Sequence, residues 1–287
     1  MGHQTIACAN QKGGVGKTTT VVNIGTYLAL AGKRVLVVDV DPQGNATSGF
    51  GIDRSKLALT LYEPLVEGAD VERAIVATSV PGLSLIPSSV ELAGADLELA
   101  NADQRERRLS HVLGIVRSDY DYILLDCPPS LGLLTVNALT AADSVLIPLQ
   151  SEFYALEGLT QLIATVNLVR DHLNPDLEIT GVVLTMYDAR TNLSADVAGE
   201  ARRHLGAAVF DTIIPRNVRL SEAPSFGLPI ALYRPDSRGA EAYAALTAEL
   251  IQRDGGRHDG GRGNRIEAVD PPASIVSDDV AAVGVPS

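Results

Sequence analysis

Short apolar runs rich in Val, Leu and Ile alternate with longer stretches of helical periodicity almost from the first residue. Thr5–Ala9 reads as a strand, followed by a Gly-rich turn and a helix over Lys17–Ala31. Arg34–Asp39 is a second strand and Leu83–Ile86 a short third, with helical segments over Val90–Ala100 and Arg105–Arg117 behind them. Tyr122–Asp126, Ser144–Leu149, Ile179–Met186 and Val209–Ile214 complete the strand candidates, and helices are expected over Ala155–His172, Ser194–Leu205 and Gly239–Arg253. Strands alternating with helices of this length build right-handed βαβ crossovers. The pattern therefore predicts an α/β fold, a doubly wound and mostly parallel sheet with helices on both faces. No internal repeat and no Pro/Gly/Ser linker interrupts the chain before residue 254, so residues 1–253 are expected to form one domain.

From Asp254 the texture changes to Gly-Gly-Arg-His-Asp-Gly-Gly-Arg-Gly-Asn and then to a Pro-, Ser- and Asp-containing end. Residues 254–287 hold six acids against three arginines and little apolar surface, so the expectation there is a disordered acidic tail. A short docking segment within the partly apolar Ile275–Val285 is the alternative.

Composition sharpens this picture. Hydrophobic residues make up 46% of 287, enough for a large core, while aromatics are only 4% and Trp is absent. The core must be aliphatic, which suits a sheet covered on both faces. A formal net charge of −12 argues against a protein that coats nucleic acid with its whole surface, but leaves room for a local basic patch. Cys8 and Cys127 lie inside apolar runs, which predicts small buried hydrophobes in a reducing compartment rather than a disulfide or a zinc site. No apolar run approaches the roughly 20 residues that span a bilayer, and the N-terminus lacks a secretory signal pattern. A cytoplasmic location is expected. The five histidines are scattered and receive no catalytic role.

Candidate chemistry begins at the first turn. A phosphate-binding loop has the form G-x-x-x-x-G-K-[ST] between a strand and a helix. Here Gln11 stands at the first position, and the match holds at Gly16-Lys17-Thr18. Gly13, Gly14 and Gly16 let successive backbone N–H groups turn toward a polyphosphate, and the following helix aims its positive dipole end at the same place. The expected phosphate cradle is thus Gln11, Lys12, Gly13, Gly14, Val15, Gly16, Lys17, Thr18 and Thr19. Lys17 supplies charge to the β- and γ-phosphates, and the Thr18 hydroxyl is a Mg2+ ligand. This is a P-loop NTPase-type arrangement.

Two carboxylate sites fit that loop. Asp126 ends the apolar strand Tyr122–Asp126, the Walker B form, with a role in holding the Mg2+ shell; a strand-end cap is the bland alternative. Asp39 and Asp41 point to one side at the end of the second strand by period-two alternation, near the carboxyl edge where α/β sheets bind ligands. Like charges this close require a cation or a proton between them.

Together, Lys12-Gly13-Gly14-Val15-Gly16-Lys17-Thr18-Thr19, Val37-Val38-Asp39-Val40-Asp41-Pro42-Gln43-Gly44-Asn45 and Ile123-Leu124-Leu125-Asp126-Cys127-Pro128-Pro129-Ser130 resemble the deviant Walker A ATPases. That group includes ParA/Soj, MinD and the nitrogenase iron protein. Asp188–Asn192 and Ile214–Ser225 are similar specifically to the chromosomal ParA/Soj proteins, and the similarity covers about residues 3 to 252. The resemblance implies ATP as the nucleotide and an ATP-dependent sandwich homodimer in which Lys12 reaches the partner's nucleotide as an arginine finger does. It implies that Asp41 orients the attacking water, that Asp39 and Asp126 sit around Mg2+ with Thr18, and that Pro215 and Asn217 contact adenine. Pro128, Pro129 and Ser130 fall at the second switch.

The resemblance further implies that Arg190 and Arg219 bind non-specific double-stranded DNA, that a ParB-type centromere-binding protein is the partner, and that the protein is nucleoid-associated. The residues alone leave this open: 185–220 hold five arginines and four acids, and Arg190 and Arg219 fit ordinary surface ion pairs equally well. A MinD-like membrane ATPase would need a basic amphipathic C-terminal helix, and this end is Gly-rich and acidic, so no membrane partner is expected. An iron–sulfur reductase would need cysteines unlike Cys8 and Cys127 in position. An operator-binding extension ahead of the loop is not expected either, since only about ten residues precede it.

Overall fold

The computed structural model describes residues 3–152 and 155–258. Seven strands form one sheet: β1 Gln4–Cys8, β2 Val35–Asp39, β3 Val76–Ala77, β4 Leu83–Ile86, β5 Tyr122–Asp126, β6 Ser144–Gln150 and β7 Glu178–Thr185. Their order across the sheet is β3-β4-β2-β5-β1-β6-β7, parallel throughout except for the antiparallel edge pair β3–β4. The helices are α1 Lys17–Leu30, α2 Asn45–Gly49, α3 Ala95–Glu98, α4 Arg108–Val116, α5 Leu133–Ala141, α6 Ala155–His172, α7 Asn192–Leu205, α8 Val218–Glu222, α9 Ile230–Tyr233 and α10 Arg238–His258.

Every residue of β2 and of β5 is buried, as expected of strands covered on both faces. Period-two alternation divides them between two cores. Leu36, Val38, Ile123 and Leu125 join one cluster with α4 to α7. Val35, Val37, Tyr122 and Leu124 join the other with α1 and α10. On this second face Gly25 lets α1 approach the sheet closely: a Cβ there would lie 3.2–3.4 Å from Val37, Leu83 and Leu124. α10 closes the same face, where the buried Tyr243 hydroxyl meets Thr20 Oγ1 at 3.1 Å, a contact across 223 positions of sequence.

Several expected elements differ in extent. Val209–Ile214 is not a strand but an edge segment: Val209 makes a single bridge to Val182 of β7, and Phe210 and Ile214 donate to the Val182 and Leu184 carbonyls at 2.9 and 2.8 Å, while beyond both segments Pro215 bridges Tyr187. The amides of Asp211 and Thr212 donate to the Glu249 carboxylate, both at 2.9 Å, and are thereby withdrawn from the ladder. β2 starts one residue late because the Arg34 amide donates to the Asp121 side chain at 2.8 Å. β7 stops at Thr185 because Met186 adopts a left-handed φ of 52°. Only Ala95–Glu98 and Arg108–Val116 of the two middle helical segments are α-helix, each preceded by a tighter turn over Val90–Gly94 and Arg105–Arg107.

α5 has no apolar stripe because it is buried on nearly every side. α10 continues through Asp254 to His258, since the Asp254 carboxylate is buried and accepts the Tyr122 hydroxyl at 2.8 Å. The remainder of the expected tail lies outside the described residues.

Replacing Gly25 with Val is expected to force three core side chains apart and cost about 1–3 kcal/mol by overpacking. The check is urea unfolding, where the midpoint should fall while the denaturant slope stays constant.

Candidate functional site

β1 carries the chain to the carboxyl edge of the sheet, where residues 9–16 turn back to start α1. Gly14 and Gly16 hold φ values of 74° and 90°, left-handed conformations that a side chain would strain. Gly16 is the N-cap of α1, and neither a capping side chain nor an acid in the first turn takes up the helix's free N–H groups. Those donors and the positive dipole end face the concavity of the loop.

The loop is fixed from beneath. Thr185 Oγ1, at the end of β7, donates to the Val15 carbonyl at 2.8 Å. Asn10 Nδ2 donates to the Pro148 carbonyl of β6 at 2.7 Å, while its Oδ1 accepts the Lys12 amide at 2.9 Å. Lys17 is buried, and its ammonium spans the loop to the Lys12 carbonyl at 3.2 Å.

Asp39 and Asp126 are register partners on β2 and β5, and Cys8 of β1 pairs with Asp126 on the other side. Both carboxyls are fully buried. Asp39 Oδ2 accepts the Thr47 amide and hydroxyl, each at 2.7 Å, and Asp126 Oδ2 accepts the Thr18 hydroxyl at 2.7 Å. The remaining Oδ1 of each acid is buried without a hydrogen-bond partner. Burial pushes the Asp39 pKa up to about 6. Burial, then the charge of Asp39, holds Asp126 well above the ordinary carboxylate range.

Two orphaned carboxyl oxygens beside a threonine hydroxyl are a donor set for a hard divalent cation. Among the described residues no three His, Cys, Asp or Glu side chains gather closely enough to cage an ion by themselves. That fits magnesium, which keeps several waters and takes phosphate oxygens.

Asp41 is buried at the rim. Its Oδ1 accepts the Gln43 amide at 2.9 Å, and its carbonyl accepts the Gly44 amide and the Ser88 hydroxyl, at 2.8 and 2.6 Å. The Ser88 amide donates to Thr47 Oγ1 at 3.0 Å, so Ser88 and Thr47 orient both acids of the β2 end.

A cavity of about 620 Å³ opens over the loop. Gly13, Gly14, Gly16, Lys17, Thr18 and Thr19 line one end, Asp41 and Pro129 the side, and Met186, Leu220 and Pro229 the apolar far end. Pro215 and Asn217 do not line it. Pro215 bridges Tyr187, and Asn217 caps α8 by accepting the Arg219 amide at 2.8 Å. Gln11 is exposed at the loop's outer edge. Lys12 also faces outward, its ammonium 2.8 Å from Glu152 Oε2.

Arg190 and Arg219 leave the fold from two segments joined where the Arg216 amide donates to the Tyr187 carbonyl at 2.9 Å. Each carries an internal ion pair, Arg190 to Asp188 and Arg219 to Glu222, both at 2.7 Å, on exposed side chains. Glu152, Thr47, Ser88, Thr185 and Met186 were not legible as site residues. Thr47 alone had a signal, as a hydroxyl in the helix directly after the Asp41-Pro42-Gln43-Gly44 turn.

A glycine loop over a helix N-terminus, two buried acids on adjacent strands and a cavity at the carboxyl edge define a P-loop nucleotide-binding protein. Residues 3–179 match the AAA domain family. Over 245 residues the chain is 60% identical to the sporulation initiation inhibitor protein Soj of Bacillus subtilis, covering 85% of this chain and 97% of that protein. It is 54% identical over 253 residues to the chromosome partitioning protein ParA of Caulobacter vibrioides, covering 88% and 95%. The chain belongs to the ParA/Soj family of chromosome-partitioning ATPases.

Among solved structures, cobyrinic acid a,c-diamide synthase from Mycobacterium smegmatis with bound ADP and magnesium superposes with a TM-score of 0.79 at 38% identity, covering 91% and 98%. The Pyrococcus furiosus cell division ATPase MinD superposes at 0.73 and 27%, covering 88% and 99%.

A carboxyl whose folded pKa lies above its unfolded value binds more protons folded than unfolded. The contribution of Asp39 to the stability of the metal-free protein should therefore fall as pH rises from about 4 towards about 6 and stay lower above it. In EDTA at neutral pH, Asp39→Asn is expected to be more stable than the unsubstituted chain by on the order of 1–3 kcal/mol. Denaturant titrations at several pH values should show the gap narrowing towards pH of about 4.

Proposed function

We propose that this ATPase is a nucleotide-gated DNA switch for chromosome partitioning. Mg·ATP joins two copies face to face, the dimer holds non-specific double-stranded DNA, and a ParB-type centromere-binding partner stimulates the hydrolysis that releases it. The observation carrying this reading is the division of labour between two lysines. Lys17 lies inside the cavity beneath the glycine loop, whereas Lys12 projects from the same loop away from the cavity. A charge placed there serves a nucleotide bound by another copy of the chain rather than its own.

In this reading Lys17 and the loop amides hold the β- and γ-phosphates, Thr18 is a direct metal ligand, and Asp39 and Asp126 accept hydrogen bonds from the metal's waters. A magnesium ion held there would offset the charge that builds on the phosphate oxygens. Asp41, whose side chain and carbonyl accept from Gln43, Gly44 and Ser88, orients the attacking water in this reading. Lys12 exchanges Glu152 for the partner's transferring phosphoryl group, so an isolated copy turns over slowly. Arg190 and Arg219 exchange Asp188 and Glu222 for DNA phosphates, a trade between exposed ion pairs that costs little and makes affinity fall steeply with salt.

The protein then works in the cytoplasm on the nucleoid. No helix among the described residues is long and apolar enough to cross a membrane. The activity of the cobyrinic acid enzyme belongs to that protein, and the partitioning relatives are the more similar in sequence.

Two variants test the proposal. Lys12→Ala is expected to bind Mg·ATP normally but to lose ATP-dependent dimerisation in light scattering and to lose partner-stimulated hydrolysis; full hydrolysis by this variant would remove the lysine from the reaction. Arg219→Glu should dimerise with ATP yet bind a random DNA duplex at least about tenfold more weakly, with a shallower salt dependence. Unchanged DNA affinity would take Arg219 out of the contact surface.

A further inference from the structure

The cavity's two ends belong to parts of the chain that are far apart in sequence. The phosphate end is the loop and the first turn of α1, and the far end is formed by α8 and the segment leading into α9. One buried side chain joins them. Asn23, 3% exposed on α1, donates from Nδ2 to the Thr19 carbonyl at 2.7 Å and accepts the Ile230 amide on Oδ1 at 2.9 Å. Its partners fix its orientation, because the Ile230 amide can only donate and the Thr19 carbonyl can only accept.

Ile230 is the first residue of α9, whose own N-cap is Pro229 and offers no side-chain cap. Asn23 therefore caps α9 from another helix, satisfying a donor that would otherwise be buried and unpaired. Pro229 and Leu228, immediately before that amide, line the cavity, and Asn23 lines it between them and Thr19. A second tether holds the same wall: Gly227 and Gly51 meet backbone to backbone, and a Cβ on Gly227 would lie 2.6 Å from Gly51 Cα.

We infer that Asn23 is a positioning residue that sets the distance from the phosphate loop to the wall against which the nucleoside rests. It acts through Leu228 and Pro229 on the nucleoside part of the ligand and leaves the phosphate contacts alone. The inference rests on the nucleotide reading of the cavity.

The test compares two probes, Mg·ATP and Mg·tripolyphosphate, by calorimetric titration of the full chain. Tripolyphosphate has the phosphates without the nucleoside. Asn23→Ala leaves the Ile230 amide unpaired and is expected to weaken Mg·ATP about tenfold while changing Mg·tripolyphosphate by less than about twofold. Asn23→Asp keeps the acceptor for Ile230 but sets a second acceptor oxygen against the Thr19 carbonyl, so it should weaken Mg·ATP less than Asn23→Ala does, while Mg·tripolyphosphate again changes by less than about twofold. That variant carries the test by itself if the alanine chain does not fold.

Equal losses for both probes, or an aspartate variant that loses nucleotide selectively and as far as about tenfold, would overturn the role given to Asn23. Failure of the unsubstituted chain to bind either probe would instead strike the nucleotide reading on which the role rests.

Discussion

Two carboxyl groups sit one strand apart at the same register, and much of the molecule is arranged around them. Asp39 and Asp126 are partners across β2 and β5, fully buried, each with one oxygen held by a threonine and the other left without a partner. Burial of like charges at this separation is unfavourable until a cation or a proton intervenes. The sheet makes the encounter unavoidable, because parallel strands in this order bring their carboxyl ends to a single edge. A site that is unfavourable when empty is a site whose occupation is coupled to stability. The arrangement thus converts a structural cost into ligand dependence.

The supports of that site come from elements with no chemistry of their own. Thr47 in α2 holds Asp39, Ser88 beyond β4 holds both Thr47 and Asp41, and Thr185 at the end of β7 holds the glycine loop. Three strand ends and one short helix are therefore linked by hydroxyl groups within a few ångströms of the phosphate cradle. Hydroxyls suit this task, since each donates once and still accepts. Met186 adds a strained backbone where β7 gives way to the cavity wall, a kind of strain that collects at binding sites.

What could be read from the chain follows from how local each feature is. The glycine loop, the Asp39 and Asp126 strand ends and the alternating strands and helices depend on neighbours within a few residues, and the fold places them as expected. Val209–Ile214 has the apolar composition of a strand, but the amides of Asp211 and Thr212 are diverted to Glu249, some forty residues on, which no local pattern encodes. α5 escaped because a helix buried all round lacks the amphipathic period by which helices are found. The wall of the cavity that Leu228 and Pro229 supply was not legible, because it depends on where α9 packs against α1, a tertiary result. Glu152 gave no signal, since an exposed acid acquires meaning only through the lysine it meets.

The contact between Thr20 and Tyr243 has a consequence for how the chain reaches its working form. The helix that bears the phosphate loop leaves the ribosome well before the helix that covers it, which is translated more than two hundred residues later. Closing so long a loop is slow compared with forming local helices, and the uncovered apolar face of α1 must wait for it. At elongation rates of roughly 5–20 residues per second, that wait is on the order of ten seconds or more. During that interval the nascent chain displays the sequence of a nucleotide site without its finished architecture. Competence to bind thus waits for the part of the chain that supplies both the cavity's far wall and the cover of α1.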